Sequence, residues 1–375
     1  MREFSPKLDY RYDLEAEREA KRRERLRVIP GSIAIVAALF YYGDVLDNYQ
    51  EAQSSTPTID VFHVPEGEPA TSATLFFAGL GDNDGWRLAS SQGPITDHVL
   101  DGEWWSVGYN NAFLSEETMA QDAIELAEER GITTVSVYGY SAGGPISLKT
   151  TVSILENSDL LLQSAWLDSA PAGDEGIRPE QRQTRDTLMS VLDWVPSARY
   201  STPIRYLAEM AFRSSQFTDF EQFLKVSDFV MKGLEEGRIP GTWLIVDQAS
   251  AAMDDDVDES LAKIAELRED SLKPTTIALG TAQPGIDPII NNDVAPRNTC
   301  IDSNAVGIPC FIYGIPGAVH NLPEVANEQY HEIISGAAPK LKAIIARSLL
   351  EYNQSFYEPV EINYSTEPLK PKRPY

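Results

Sequence analysis

The chain is poor in basic residues, cysteine and histidine, and these shortages exclude classes of function. Its 375 residues carry 31 basic and 57 acidic side chains, a formal net charge of -26. A surface of that sign repels phosphate backbones, so we expect no nucleic-acid partner. Only two cysteines and four histidines are present. They do not have the spacing of a zinc site, so we expect no metal ion.

Cys300 and Cys310 are ten positions apart in a segment that also contains Asn, Asp and Gly. Two interpretations remain open at this point. In a body exported to an oxidising compartment the two would form a disulfide, closing a short loop worth about 2.5 to 3 kcal/mol. Alternatively, they are two unrelated buried thiols.

The chain also lacks a hydrophobic run that crosses a bilayer with length to spare. The uncharged stretch 28–43 would span roughly 24 Å as a helix, against roughly 30 Å of hydrocarbon. Basic residues within 1–27 precede it, Asp44 and Asp47 follow it, and no convincing cleavage site is present. This pattern predicts an uncleaved transmembrane signal anchor at 28–43, a cytoplasmic tail at 1–27 and an extracytoplasmic body. The alternative, favoured by Pro30, is a buried helix or strand.

What the sequence does contain is an alternation of short β-branched and aromatic runs with helical patterns, which begins near residue 58. This alternation predicts an α/β fold with a mostly parallel sheet flanked by helices. We assign residues 58–170 and 273–352 to this body, 44–57 to a spacer and 353–375 to a tail. The predicted strands are Ile59–Val64, Ala73–Phe77, Trp104–Tyr109, Thr133–Tyr138, Ser164–Leu167, Thr275–Leu279 and Pro309–Tyr313.

One pentapeptide, Gly139–Gly143, has the pattern G-x-S-x-G. The pattern alone arises by chance in roughly one chain in ten of this length. Here it lies between the strand-like ITTVSVY and the helix-like AGGPISLKTTVSIL. Such a strand, turn and helix expose a serine on a strained turn near the positive end of the helix. Ser141 is therefore the candidate nucleophile, and the flanking glycines allow close backbone approach.

The strand, the turn and the helix together resemble the nucleophile elbow of the α/β-hydrolase family. In the order of its elements, the resemblance covers about residues 58–350. It implies a serine hydrolase that cleaves an ester, thioester or amide through an acyl-serine intermediate, without a cofactor. Two alternatives stay open: a non-catalytic hydrolase-fold binding protein at the cell surface, and a serine peptidase of the prolyl-aminopeptidase-like type.

The other members of a catalytic triad follow from this resemblance. A serine hydroxyl needs a base to remove its proton, and His320 lies on a loop after the last predicted strand, where the family places its base. Asp287 follows the preceding strand, so the order Ser141, Asp287, His320 is the family's order. Asp168 and Asp293 are alternative acids, because the spacing before Asp287 is wider than in the family pattern.

Two backbone amides are candidates for the oxyanion hole. One belongs to Ala142, directly after the serine. The other belongs to Leu80 in the turn AGLGDNDG, which resembles the family's glycine-bearing oxyanion loop. A plain Gly-Asp turn is the alternative.

Residues 171–272 carry aromatic and Met side chains at helical spacing and predict a helical cap insertion that fits the sheet core poorly. Within it, Gly241–Val246 also has the composition of a strand. We expect the insertion to cover Ser141 and to select a small-molecule or lipid-like acyl substrate.

Overall fold

The protein is described by a computed structural model. It covers residues 41–350 except 68, 213–219, 237–238, 254–255, 268–273, 282–286, 288, 319 and 321–325.

The described residues form one seven-stranded sheet with the spatial order β1-β3-β2-β4-β5-β6-β7. All neighbouring strands are parallel except β1, which runs antiparallel to β3 at one edge. The predicted α/β class, with a mostly parallel sheet flanked by helices, is confirmed. The strands are β1 (Thr58–His63), β2 (Ser72–Phe77), β3 (Glu103–Gly108), β4 (Thr134–Tyr140), β5 (Leu161–Asp168), β6 (Thr275–Thr281) and β7 (Cys310–Ile315).

Helices cover both faces of the sheet, and α5 to α9 lie between β5 and β6 in the chain. The helices are α1 (41–54), α2 (Trp86–Thr96), α3 (Glu116–Arg130), α4 (Gly143–Asn157), α5 (Pro179–Trp194), α6 (Thr202–Phe212), α7 (Phe220–Glu235), α8 (Thr242–Met253), α9 (Asp256–Leu267), α10 (Ala295–Ala305) and α11 (Asn327–Leu350). Because α4 begins directly after β4, the strand and helix expected on either side of Ser141 are both present.

Alternate side chains of each strand enter opposite cores, as the two-residue period of a strand requires. Leu75 and Val137 pack with α3 and α4 on one face. Phe76 and Tyr138 pack on the other face, where α2 and α11 also contribute buried residues. The central strands are thus buried on both faces, which explains their nearly continuous apolar sequences.

The second half of the insertion differs from expectation, because it belongs to the main core. Trp243 and Leu244 of α8 and Leu261 of α9 are buried in the same cluster as the sheet. The segment Gly241–Val246, which also had the composition of a strand, forms the start of α8. A short apolar run has no clear period, so composition alone does not separate a buried helix from a strand.

The expected signal anchor at 28–43 is contradicted. Within the part of the chain that the structure describes, no helix is long and apolar enough to cross a membrane. Residues 28–40 lie outside the described residues, while 41–43 belong to α1. The predictions of a transmembrane segment, a membrane partner and a membrane-anchored localisation are contradicted with it.

The described end of that stretch, residues 41–43, belongs to α1, which packs on the insertion. The Tyr41 hydroxyl is hydrogen-bonded to Ser197 Oγ at 3.2 Å. Two turns further on, Asn48 Nδ2 donates to the carbonyl oxygen of Tyr200 at 2.6 Å and to Thr202 Oγ1 at 3.0 Å. Hydrogen bonds therefore attach helix α1 to the insertion.

The sulfur atoms of Cys300 on α10 and Cys310 at the start of β7 are bonded to each other. We predict that the denatured, unreduced protein has no reactive thiol. Cys300→Ala should lower the free energy of unfolding by about 2.5 to 3 kcal/mol, because the unfolded chain then gains the freedom of the short loop. Thiol titration and denaturant unfolding measure the two effects. Two reactive thiols in the wild-type protein would contradict the bond.

Candidate active site

Ser141 lies on a sharp turn between β4 and α4 with a φ of 52°, a conformation that non-glycine residues rarely adopt. Its amide donates to the carbonyl oxygen of Asp168 at 2.9 Å, which ties the turn to the end of β5. A Cβ on Gly139 would lie 2.5 Å from the carbonyl oxygen of Gly143. A side chain at position 139 would therefore push the two ends of the turn apart.

A continuous line of hydrogen bonds leads away from the Ser141 hydroxyl. Ser141 Oγ is 3.0 Å from Nε2 of His320, and Nδ1 of His320 is 3.0 Å from Oδ2 of Asp287. All three residues are buried. The structure thus brings together the three residues that the sequence analysis named as nucleophile, base and acid, from loops that follow β4, β7 and β6.

Asp287 accepts hydrogen bonds on both carboxylate oxygens. Oδ1 accepts from the amides of Ile289 and Ile290 at 2.9 and 2.8 Å. Oδ2 accepts from Asn292 Nδ2 at 2.9 Å in addition to His320. Burial alone would raise the pKa of Asp287, but the hydrogen bond and charge of His320, with the two amides, lower it below its usual value. The carboxylate form is therefore favoured at neutral pH.

Two of the residues that hold Asp287 were missed by the sequence analysis. Asn292 lies five positions further along the chain, and Arg178 Nε donates to the Asp287 carbonyl oxygen from the segment before α5. Asn292 is close to Asp287 in the sequence, so a search for donors near the candidate acid would have found it. Arg178 is 109 positions away, and the sequence offers no pattern that would have pointed to it.

The first alternative acid, Asp168, faces different partners. Its Oδ2 accepts from the hydroxyls of Tyr138 and Tyr330, both at 2.7 Å. Burial raises the pKa of Asp168 to about 6, although these tyrosines, Ser169 and the charge of His320 oppose the shift. The second alternative, Asp293, is exposed.

The other histidines have partners elsewhere. The ring of His63 packs against Trp104 with centroids 4.2 Å apart. His98 Nε2, in the turn after α2, is 2.9 Å from Nδ1 of His331 in α11. Across the described ranges, no cluster of three or more His, Cys, Asp or Glu side chains could hold a metal ion.

The two candidate oxyanion donors belong to different turns, one after β4 and one after β2. Ala142 is the N-cap of α4, where backbone amides have no partner within the helix. Leu80 belongs to the turn after β2, and its neighbour Gly79 packs directly on the serine. A Cβ at Gly79 would lie 2.8 Å from Ser141 Cβ, so only glycine lets this turn approach the nucleophile.

Comparison with known proteins gives matches among solved structures only. No protein-family model matches the chain, and no curated protein matches its sequence. An esterase from Exiguobacterium antarcticum is 13% identical, with a TM-score of 0.47 over 77% of this chain and 98% of the other. A thermophilic esterase from Thermogutta terrifontis is 15% identical, with a TM-score of 0.45 over 78% and 97%.

A third similar structure is MGS-M2, an α/β hydrolase from a Medee basin deep-sea metagenome library. It is 12% identical, with a TM-score of 0.42 over 82% of this chain and 96% of the other. At these identities and TM-scores, none of the three likenesses carries an inference about activity or substrate. Any activity must be inferred from the residues of this chain.

We predict that Asp168 makes the folded protein less stable as the pH rises. The unfolded carboxyl loses its proton near 3.8 and the folded one near 6. Between these values the folded state binds more protons, so the free energy of unfolding falls with rising pH. Asp168→Asn lacks this titration, and its stability relative to wild type should increase over this window by at most about 3 kcal/mol. Urea unfolding at both ends of the window measures it, and a pH-independent difference would contradict the assignment.

Proposed function

We propose that this chain is a serine hydrolase that cleaves an ester, thioester or amide through an acyl-Ser141 intermediate. The observation that supports the proposal most is the line of two 3.0 Å hydrogen bonds from Ser141 Oγ through His320 to Asp287. A serine and a base within hydrogen-bond reach, with the base held by a third group, is the arrangement that activates a hydroxyl. The positive φ of Ser141 supports it further, because such strain is frequent at functional sites.

In the proposed reaction, Ser141 Oγ attacks the carbonyl carbon of the substrate while His320 Nε2 takes the hydroxyl proton. The tetrahedral intermediate collapses, and the leaving alcohol, thiol or amine departs with that proton. Water then attacks the acyl-enzyme. His320 takes a proton from this water and returns it to Ser141 Oγ as the carboxylic acid leaves.

Asp287 has two roles in this scheme. As an acceptor it holds the His320 tautomer in which Nδ1 carries the proton and Nε2 faces the serine. As a carboxylate of lowered pKa, it stabilises the imidazolium that forms after proton transfer. Because the chain of bonds is complete, the structure does not favour the alternative of a non-catalytic binding protein.

The negative charge of the tetrahedral intermediate would be met by the amides of Ala142 and Leu80. Loss of one such donor typically costs about 2.7 to 4 kcal/mol of transition-state stabilisation. The proximity of Gly79 to Ser141 and the position of Ala142 at the start of α4 support these two assignments.

The substrate we propose is a small-molecule or lipid-like acyl compound. Helices α6 and α7 of the insertion leave Leu207, Phe220 and Leu224 exposed, and we propose that this surface meets the acyl group of the substrate. An apolar surface of this kind favours an acyl or aromatic group over a charged one.

We predict that wild-type protein hydrolyses p-nitrophenyl esters of graded acyl length or aminoacyl amides, and that Ser141→Ala lowers kcat by about 10⁴-fold or more. The matched control is Ser136→Ala, which removes a buried hydroxyl on the same strand that is bonded to Ser164. This control should retain activity. Undiminished hydrolysis by Ser141→Ala would contradict the proposal.

We also predict that the two buried acids differ in effect. Asp287→Asn should lower kcat by about 10⁴-fold, because the amide no longer holds the productive tautomer. Asp168→Asn should lower it by less than about tenfold, since the carboxylate partners of Asp168 are Tyr138, Tyr330 and Ser169. Steady-state kinetics of both variants decide the matter, and the reverse order would assign the acid role to Asp168.

A further inference from the structure

The turn that carries Leu80 is held by a side chain from the insertion. We call residues 79–82 the oxyanion loop. Gln248 of α8 is fully buried and contacts this loop at two atoms. Its Oε1 accepts from the amide of Gly81 at 3.0 Å, and its Nε2 donates to the carbonyl oxygen of Asp82 at 2.9 Å.

Both bonds depend on the carboxamide of glutamine. The group offers one acceptor and two donors in a plane, so a single side chain satisfies a backbone N–H and the C=O of the next residue. Gly81 has a φ of 87°. Because glycine has no Cβ, its backbone changes φ at little energetic cost. The two bonds to Gln248 restrict that rotation from outside the loop.

Helix α8 provides a fixed base for Gln248. The indole Nε1 of Trp243 donates to the carbonyl oxygen of Asn111 at 2.6 Å, and the Gly241 amide donates to Asn111 Oδ1 at 2.9 Å. The helix is therefore attached to the loop after β3 independently of its contact with the oxyanion loop.

We propose that Gln248 is a positioning residue for the oxyanion hole: it fixes the oxyanion loop so that the Leu80 amide remains available to the oxyanion beside Ser141. The proposal rests on the proposed function. It makes the insertion a part of the catalytic apparatus, because α8 supplies the contact. Without the carboxamide, the Gly81 amide loses its partner and the peptide units around Leu80 gain freedom to turn away.

A positioning role differs measurably from substrate selection. A residue that only selects substrate changes KM and does so according to acyl length. A residue that holds an oxyanion donor lowers kcat by a similar factor for short and long acyl groups, because the oxyanion is common to all of them.

The test compares Gln248→Ala and Gln248→Glu with the control Asp247→Ala. Gln248→Glu keeps the size of the side chain but places a carboxylate against the Asp82 carbonyl and removes the donor. Asp247→Ala deletes, at the adjacent position of the same helix, a carboxylate that accepts from the amide of Leu114 at 3.2 Å. The bonds of Gly241 and Trp243 to Asn111 still hold α8 in this control. The readouts are kcat and KM for p-nitrophenyl acetate and a longer ester, inhibition by an acyl trifluoromethyl ketone, and the melting temperature.

We expect both Gln248 variants to lose about 10- to 100-fold in kcat at both acyl lengths, which is less than the 10²- to 10³-fold loss of a whole donor. KM should change by less than about twofold, whereas binding of the trifluoromethyl ketone, whose adduct carries an oxyanion, should weaken by the same factor as kcat. Asp247→Ala should keep the wild-type kcat even where its melting temperature falls.

The possible failures can be told apart. If folded wild-type protein hydrolyses neither these esters nor aminoacyl amides and does not bind the trifluoromethyl ketone, the proposed function fails and the role of Gln248 fails with it. If wild type is active and a folded Gln248 variant keeps its kcat and its affinity for the ketone, the positioning role alone is overturned. An equal loss of kcat in Asp247→Ala also overturns it, because α8 would then act only as a general support. Gln248→Glu keeps the test decisive if Gln248→Ala does not fold.

Discussion

The backbone of Ser141 is held at a positive φ of 52°, and the rest of the candidate site is arranged around this turn. Such a conformation costs about 1 to 3 kcal/mol and persists only where surrounding contacts determine it. The Ser141 amide donates to the carbonyl oxygen of Asp168 at the end of β5. After β2, Gly79 packs so closely on Ser141 that any side chain at position 79 would collide with it. These constraints come from strands on either side of β4, so the parallel sheet itself maintains the strain.

Two buried aspartates near His320 have pKa values shifted in opposite directions by their surroundings. Asp287 is surrounded by donors, including backbone amides and His320, and its pKa is lowered. Asp168 has two tyrosine hydroxyls and deep burial, and its pKa is raised to about 6. Proximity to Ser141 therefore does not by itself distinguish the two candidate acids. The balance between burial, which raises the pKa, and the donors and charge that lower it differs between the two carboxylates.

The sequence predicted the features that local patterns determine. The strands follow from β-branched runs, and the turn at Ser141 follows from glycines between a strand and a helix. Contacts between distant segments could not be predicted from the sequence. Arg178 contacts Asp287, and Gln248 contacts Gly81, only because the fold brings these segments together. Composition misled at the apolar stretch 28–43, which was predicted to be a membrane anchor and which the structure contradicts. At Gly241–Val246 composition left a strand open beside the predicted helix, and the segment begins α8.

The central claim, that Ser141 is an activated nucleophile, is tested most directly by a fluorophosphonate. The folded wild-type protein is incubated with the reagent, and the modified peptide is identified by mass spectrometry. Activation by His320 predicts a single phosphonyl adduct on Ser141, abolished by prior denaturation and strongly slowed in His320→Ala. An unmodified Ser141 in folded protein, or modification at the same rate in His320→Ala, would contradict the account.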